Sequence, residues 1–286
     1  MLYIPINFRR TARSLLIIPS LSVQFWRQHL LPTPEDCRAT FFDQGYVILR
    51  DFVAAETLVE METHILNLCD QLDAGESLGD AIPVFEKSLG NASRTRDKLS
   101  KLFRLHRDEP VFNRFCLSSE LRPYLTALIG GNFDCFLSQF IFKYPGALGQ
   151  PWHQDRYYFN FDRSPQIGLW LAVTEATKNN GPLWVLPGSH KEPVHEVMPD
   201  KREDANPFYV EIVDHDMQDA VCVTMAPGDL LLFHSHLMHK STDNLSNQKR
   251  AAMVYHYADS ATQDLNIRQH GRSAPNMDWL NVSRSG

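Results

Sequence analysis

From Phe133 onward the chain is cut into short apolar runs separated by turn signals, a rhythm that few folds accommodate. Residues 133–144, 167–173, 183–186, 220–225, 230–233 and 250–257 are each rich in β-branched, aromatic or aliphatic side chains over strand-like lengths. Pro145-Gly146, Asn180-Gly181, Pro187-Gly188 and Pro227-Gly228-Asp229 fall between them, and Asn180-Gly181 predicts antiparallel pairing of the runs on either side. Upstream of Gly130-Gly131 the texture is helical instead. Helices first and strands afterwards predict an α+β, mainly β chain: a double-stranded β-helix (jelly roll, cupin-like) with helices packed on one face.

In the helical part, Thr33-Pro34-Glu35-Asp36 reads as a capped helix start running to about residue 43. A strand is expected at 45–52. Leu58, Met61, Ile65, Leu68 and Leu72 recur at helical spacing and predict a helix over 55–72. Residues 73–96 have the composition of a long loop around Ile82-Pro83-Val84-Phe85, and 191–219 read as a second lid or insertion. Between them, a helix over 97–106 is expected to carry much of the cationic series Arg94, Arg96, Lys98, Lys101, Arg104 and Arg107, either as a solvated face or toward an anionic cosubstrate. A further helical pattern covers 111–130.

Length fixes how these pieces combine. A chain of 286 residues, 43% of them hydrophobic, can bury one large core, so a single domain over 35–286 is expected after an N-terminal extension at 1–34. Lys+Arg 28 against Asp+Glu 34 leaves no basic field for nucleic acid or an anionic membrane, which points to a small-molecule substrate and a monomer or weak homo-oligomer. Cys37, Cys69, Cys116, Cys135 and Cys222 are odd in number and never form a Cys-x-x-Cys pair, arguing against disulfides and structural zinc. No apolar run is long enough to span a membrane, and the expected location is cytoplasmic. Arg9, Arg10, Arg13 and Arg27, with no acidic residue among the first 34, make organelle targeting the alternative.

Chemistry concentrates in Pro151-Trp152-His153-Gln154-Asp155. On extended chain, His153 and Asp155 point to the same side and Gln154 to the other, so the imidazole and carboxylate can take adjacent corners of a metal. A second histidine would complete the two-histidine, one-carboxylate face of non-heme iron(II) oxygenases. Spacing does not choose among His190, His195, His215, His234, His236, His239, His256 and His270.

His153-Gln154-Asp155, Gly168-Leu169-Trp170, Asn180-Gly181-Pro182-Leu183, Pro187-Gly188-Ser189-His190, Gly228-Asp229, His239-Lys240-Ser241, Asn244-Leu245-Ser246 and Arg250 together resemble the phytanoyl-CoA dioxygenase family. With Gly45-Tyr46-Val47-Ile48, the likeness spans about residues 36–258. It implies an Fe(II) enzyme that uses 2-oxoglutarate and O2 and releases succinate and CO2. It also implies His239 as the third ligand, with His234 and His236 outside the ligand set, and Arg250 as the fork for the distal carboxylate of 2-oxoglutarate. Ser241, Trp170, Gln139 and Lys98 match positions around the cosubstrate, although Gln139 replaces an apolar residue. Related halogenases have a small residue where Asp155 stands, so hydroxylation, or another oxidation such as desaturation, is implied.

Two other classes fit parts of the pattern. A metallohydrolase would use the same ligand types on zinc but leaves Arg250 without a role. A non-catalytic cupin-like binding protein could keep the fold alone. Tyr157, Tyr158 and Phe159 read equally as a pocket wall or as core.

Overall fold

The computed structural model describes residues 31–89, 91–270 and 273–283. Arg9, Arg10, Arg13 and Arg27, and with them the targeting reading and nearly all of the 1–34 extension, lie outside the described residues. Among the described residues no helix is long and apolar enough to cross a membrane.

Helix α1 (Pro34–Gln44) starts where expected: Thr33 accepts the Asp36 N–H, and Gly45 closes the helix at φ 85°. It is followed by α2 (Ala55–Asp73), α3 (Pro110–Cys116), α4 (Arg122–Ile129) and α5 (Leu265–His270). The described strands are β1 (Tyr46–Leu49), β2 (Ile82–Phe85), β3 (Leu99–Phe103), β4 (Phe133–Lys143), β5 (Gln166–Ala172), β6 (Leu183–Val185), β7 (Val197–Pro199), β8 (Val210–Ile212), β9 (Val221–Val223), β10 (Leu230–His234), β11 (His239–Ser241), β12 (Arg250–Asp259) and β13 (Leu280–Asn281).

The larger sheet runs β1-β10-β5-β12-β4-β3-β2, with β13 beside β4, and the smaller runs β11-β6-β9. Two backbone links extend the smaller sheet: His153 pairs with His239 beyond β11, and Ile212 N–H donates to Trp152 O, which attaches the β7–β8 hairpin. Alternation then sorts the side chains of the larger sheet. Trp170, Leu231, Phe233, Ala252 and Val254 face inward to meet Leu183, Val185, Val223, Met225 and Leu237. On its outer face, Phe140 meets Phe112 of α3, and Tyr255 packs on Phe115 and donates to Phe112 O. This is the jelly roll with helices on one face.

Three local expectations change. Residues 97–106 are not a helix. Leu99 and Leu102 are both buried three residues apart, which mimics helical spacing, but an irregularity opposite Val84/Phe85 leaves Ser100 without a counterpart. That bulge puts both leucines on one face of β3, and pairing with β2 and β4 outweighs local propensity. The cations take separate partners: Arg96 pairs with Asp70, Arg104 with Asp80, and Arg107 forks onto Asp278. Second, β5 and β6 lie in different sheets, so Asn180-Gly181 does not close a hairpin between them. Third, the pattern over 111–130 divides into α3 and α4, and Ile82–Phe85 is an edge strand inside the expected loop.

Candidate metal and cosubstrate site

His153 and His239 stand directly opposite one another in an antiparallel pair, each donating its N–H to the other's carbonyl at 2.9 and 3.0 Å. Opposed residues share a face, so the two rings come together, with centroids 4.2 Å apart. Backbone carbonyls fix their tautomers. His153 Nδ1 lies 2.8 Å from Pro151 O and His239 Nδ1 2.9 Å from Leu237 O. A carbonyl only accepts, so Nδ1 carries the proton and each Nε2 presents a lone pair.

Gln154 is extended and Asp155 opens a single 3-10 turn, which swings its carboxylate under the two rings. Oδ1 lies 3.4 Å from His153 Nε2 and 3.6 Å from His239 Nε2. All three residues are buried, and their donor atoms lie within 4.8 Å of one another. Burial alone would raise the Asp155 carboxyl; the imidazoles of His239, His153 and His256 outweigh it and hold it well below the usual carboxylate range. Burial, reinforced by His153, pushes His239 down to about 4, leaving it neutral and able to ligate. The Phe233 ring backs His239 at 4.9 Å. Gly168 makes that possible, because a Cβ there would sit 2.1 Å from Phe233 Cζ.

A cationic pocket lies on the inner face of the larger sheet, across the interior from the smaller sheet that carries His239. Arg250 is buried on β12, its guanidinium 5.3 Å from the centre of the Trp170 ring. Nη2 donates to Gly181 O at 2.9 Å, while Nε and Nη1 are buried with no partner. Gly181, at φ 83°, leaves room for the Lys143 stem, whose Cδ would be 2.3 Å from a Cβ. Lys143 faces Arg250 across the β4–β12 register and donates to Ser241 Oγ and Thr242 O at 2.9 and 2.7 Å. Burial and then Arg250 push its ammonium well below the usual lysine range. Ser241 Oγ also accepts the Gln150 N–H, which leaves its own proton to donate. Gln139 stands opposite inward-facing Val254, with Oε1 buried and unpartnered. Two adjacent buried cations and an unfilled guanidinium fork fit a carboxylate. The neighbouring two-nitrogen, one-oxygen set fits iron(II).

Trp170 therefore adjoins Arg250 and Ser241 is bound to the facing Lys143, whereas Gln139 lies four residues along the sheet, opposite Val254. Lys98 instead lies over Phe85 of β2, whereas Lys101 lies over Tyr209 and is among the charges acting on Lys143. His234 and His236 cluster with each other and with His190, away from Asp155's contacts. Gln154 points away from the metal face, as alternation requires, yet it is buried: it donates to Pro193 O and His236 O and accepts the His195 N–H. The aromatic trio divides. Tyr157 is 47% exposed, Tyr158 packs edge-on to His153, and Phe159 is core against Phe136 and His256.

The sequence names His256 only as one of eight candidate ligands, not as the partner of Asp155, and does not single out Lys143. His256 places Nε2 2.9 Å from Asp155 Oδ2, and Lys143 completes the cationic pocket. Period-2 alternation from Arg250 along β12 reaches His256 on the same face, so the first was findable once Arg250 was placed. The second needed the register of β4.

A family model described as Phytanoyl-CoA dioxygenase (PhyH) matches residues 41–252. Phytanoyl-CoA dioxygenase 1 of Oryza sativa subsp. japonica is 31% identical over 252 residues, covering 79% of this chain and 89% of that protein. Among solved structures, the non-heme monooxygenase ThoJ aligns with a TM-score of 0.66 at 17% identity, over 86% of this chain and 83% of its own. The epimerase SnoN, solved with Fe3+, alpha ketoglutarate and nogalamycin RO, aligns at 0.60 and 18% identity, over 80% and 84%. These two likenesses show a shared fold.

Proposed function

The chain belongs to the phytanoyl-CoA dioxygenase family and is a non-heme iron, 2-oxoglutarate-dependent oxygenase, and we propose that it oxidises an unactivated C–H bond of a small-molecule metabolite at iron held by His153, Asp155 and His239. The observation that carries this reading is the conjunction, between the two sheets, of a buried His-Asp-His cluster with a buried, half-unpartnered arginine, Arg250, on the strand whose His256 contacts Asp155.

Bound there, iron(II) and 2-oxoglutarate would supply O2-dependent oxidising power with release of succinate and CO2. The chain's own work is positioning. Pro151 O and Leu237 O hold the two imidazoles in the ligating tautomer, and His256 fixes the far oxygen of Asp155. Arg250 offers two unpartnered donor nitrogens, Nε and Nη1, to a carboxylate, supported by Lys143 and the Ser241 hydroxyl. Phe233, Phe159 and Trp170 keep water from the buried face.

The test is a succinate-release screen across metabolite classes, with His239→Ala as the blank. Substrate-dependent succinate with wild-type protein, lost in the blank, is expected. Succinate release that survives His239→Ala contradicts the ligand assignment.

A further inference from the structure

A second cluster of metal-ligating side chains lies outside this site. Glu192, His195 and His215 place one donor atom each within 4.8 Å of one another. Glu192 Oε2 lies 3.0 Å from His195 Nε2 and 3.2 Å from His215 Nε2. Ligands held tetrahedrally at about 2.0–2.1 Å from zinc stand roughly 3.3 Å apart, so these spacings suit one cation. The fold brings the three together: the β7–β8 hairpin returns the chain so that the segments flanking its open end, at 195 and 214–215, lie side by side. Val213 N–H donates to Glu196 O across that end.

Orientation of the His195 ring adds an independent observation. His195 Nδ1 donates to Asp214 Oδ1 at 3.1 Å, and the other Asp214 oxygen is held by the Glu196 N–H. This is the carboxylate–histidine arrangement that fixes a metal-binding tautomer and aims Nε2 at the ion. One carboxylate oxygen faces two imidazole nitrogens, a set that a dication satisfies without requiring both rings to carry extra protons. Side-chain exposures of 12% for His195, 24% for His215 and 39% for Glu192 leave an entry path and room for a water ligand.

We propose that Glu192, His195 and His215, with His195 oriented by Asp214, form a second divalent-cation site of zinc type that fastens the 192–215 segment against the segment bearing His153 and Asp155. The fastening is direct. Gln154, between those two residues, accepts the His195 N–H and donates to Pro193 O, and His236 Nδ1 approaches Glu192 O at 3.3 Å.

The test is zinc(II) titration against a chromophoric chelator in full-length His153→Ala/His239→Ala protein, whose buried cluster has lost its imidazoles. One zinc equivalent should remain bound. Adding His215→Ala should weaken it by at least about 100-fold, and adding Asp214→Asn, which leaves all three ligands, by roughly 10- to 100-fold. Glu192→Gln is the substitute should His215→Ala not fold. If the double variant itself does not fold, wild-type protein should bind two zinc equivalents and His215→Ala protein one. Zinc binding that is no tighter with Glu192, His195 and His215 intact than without them overturns the proposal.

Discussion

His256 Nε2 lies 2.9 Å from Asp155 Oδ2, on the side of the carboxylate opposite the two facing imidazoles. Both residues are buried, and the His256 ring is wedged between Phe159 at 5.1 Å and Phe233 at 6.2 Å. The interaction leaves Oδ1 for the cation and sets the plane of the carboxylate. A partner of this kind supports metal affinity without touching the metal.

Replacing His256 with Ala should therefore weaken iron(II) binding by roughly 10- to 100-fold while the apparent KM for 2-oxoglutarate at saturating iron stays close to wild type. His256→Gln, which can still donate, should recover part of the loss. Competition with a chelator measures the first effect and steady-state kinetics the second. Unchanged iron affinity in His256→Ala would show that the contact only fills space.

Arg250 and Lys143 make a paired prediction. Arg250→Lys keeps the charge but loses the fork, and should cost about 2–3 kcal/mol in 2-oxoglutarate binding, roughly 30- to 150-fold. Lys143→Met removes a buried cation that has no carboxylate among its hydrogen-bond partners. It should raise the melting temperature of the cosubstrate-free protein while shrinking the increase that 2-oxoglutarate gives. Thermal unfolding with and without 2-oxoglutarate reads both. A Lys143→Met protein with an undiminished 2-oxoglutarate shift would remove Lys143 from the pocket.

At Gly168 the prediction is steric. An added Cβ meets three Phe233 ring atoms at 2.1, 2.4 and 2.5 Å, so Gly168→Ala must displace the ring that backs His239. Overpacking of this sort costs about 1–3 kcal/mol, and iron affinity should fall with it. Phe233→Leu in the same chain should restore part of the affinity, seen by chelator competition. Additive losses in the double variant would contradict the coupling.

How much of this was visible in the sequence depends on what each feature required. His153 and Asp155 needed only local alternation, and Thr33 and Gly45 only capping chemistry. His239 could not be chosen by spacing, because its place is set by a backbone pair with a residue 86 positions away; the joint motif pattern supplied it. Strand β3 stands where a helix carrying the cationic series is expected, because pairing with β2 and β4 sets it, and a bulge at Ser100 removes the strict alternation that would mark a strand. Lys143 was invisible for another reason: its burial comes from facing Arg250, which depends on the β4–β12 register. The Asn180-Gly181 turn misled because its polar groups organise a crossing between sheets. Asn180 bonds Thr177 N–H and Glu175 O, and Gly181 O receives Arg250.

Stability should fall on the acid side. Burial, followed by His236 and His190, pushes His234 down to about 3, and its Nδ1 already accepts the His236 N–H. Burial also lowers His106, His190 and His236. The unfolded chain therefore binds more protons than the folded one below about pH 6.5. Stability is complete above that value and is lost as pH falls toward 3, by about 1.4 kcal/mol per pH unit for each group that stays neutral only when folded. Denaturant unfolding of metal-free protein at pH 7.5, 6.5 and 5.5 should show that decline, and His234→Gln should flatten it. A midpoint independent of pH across this range would contradict the assignment of neutral buried imidazoles.

The central claim is that the interior between the two sheets holds iron through His153, Asp155 and His239 and the distal carboxylate of 2-oxoglutarate through Arg250. Anaerobic titration with iron(II) and 2-oxoglutarate, followed by visible absorption, tests it most directly. A weak visible charge-transfer band should saturate at one iron and one 2-oxoglutarate per chain. It should be absent in His239→Ala, and in Arg250→Met it should appear only at much higher 2-oxoglutarate. A wild-type protein that binds iron(II) and gives no such band, or a band indifferent to both substitutions, would contradict the claim.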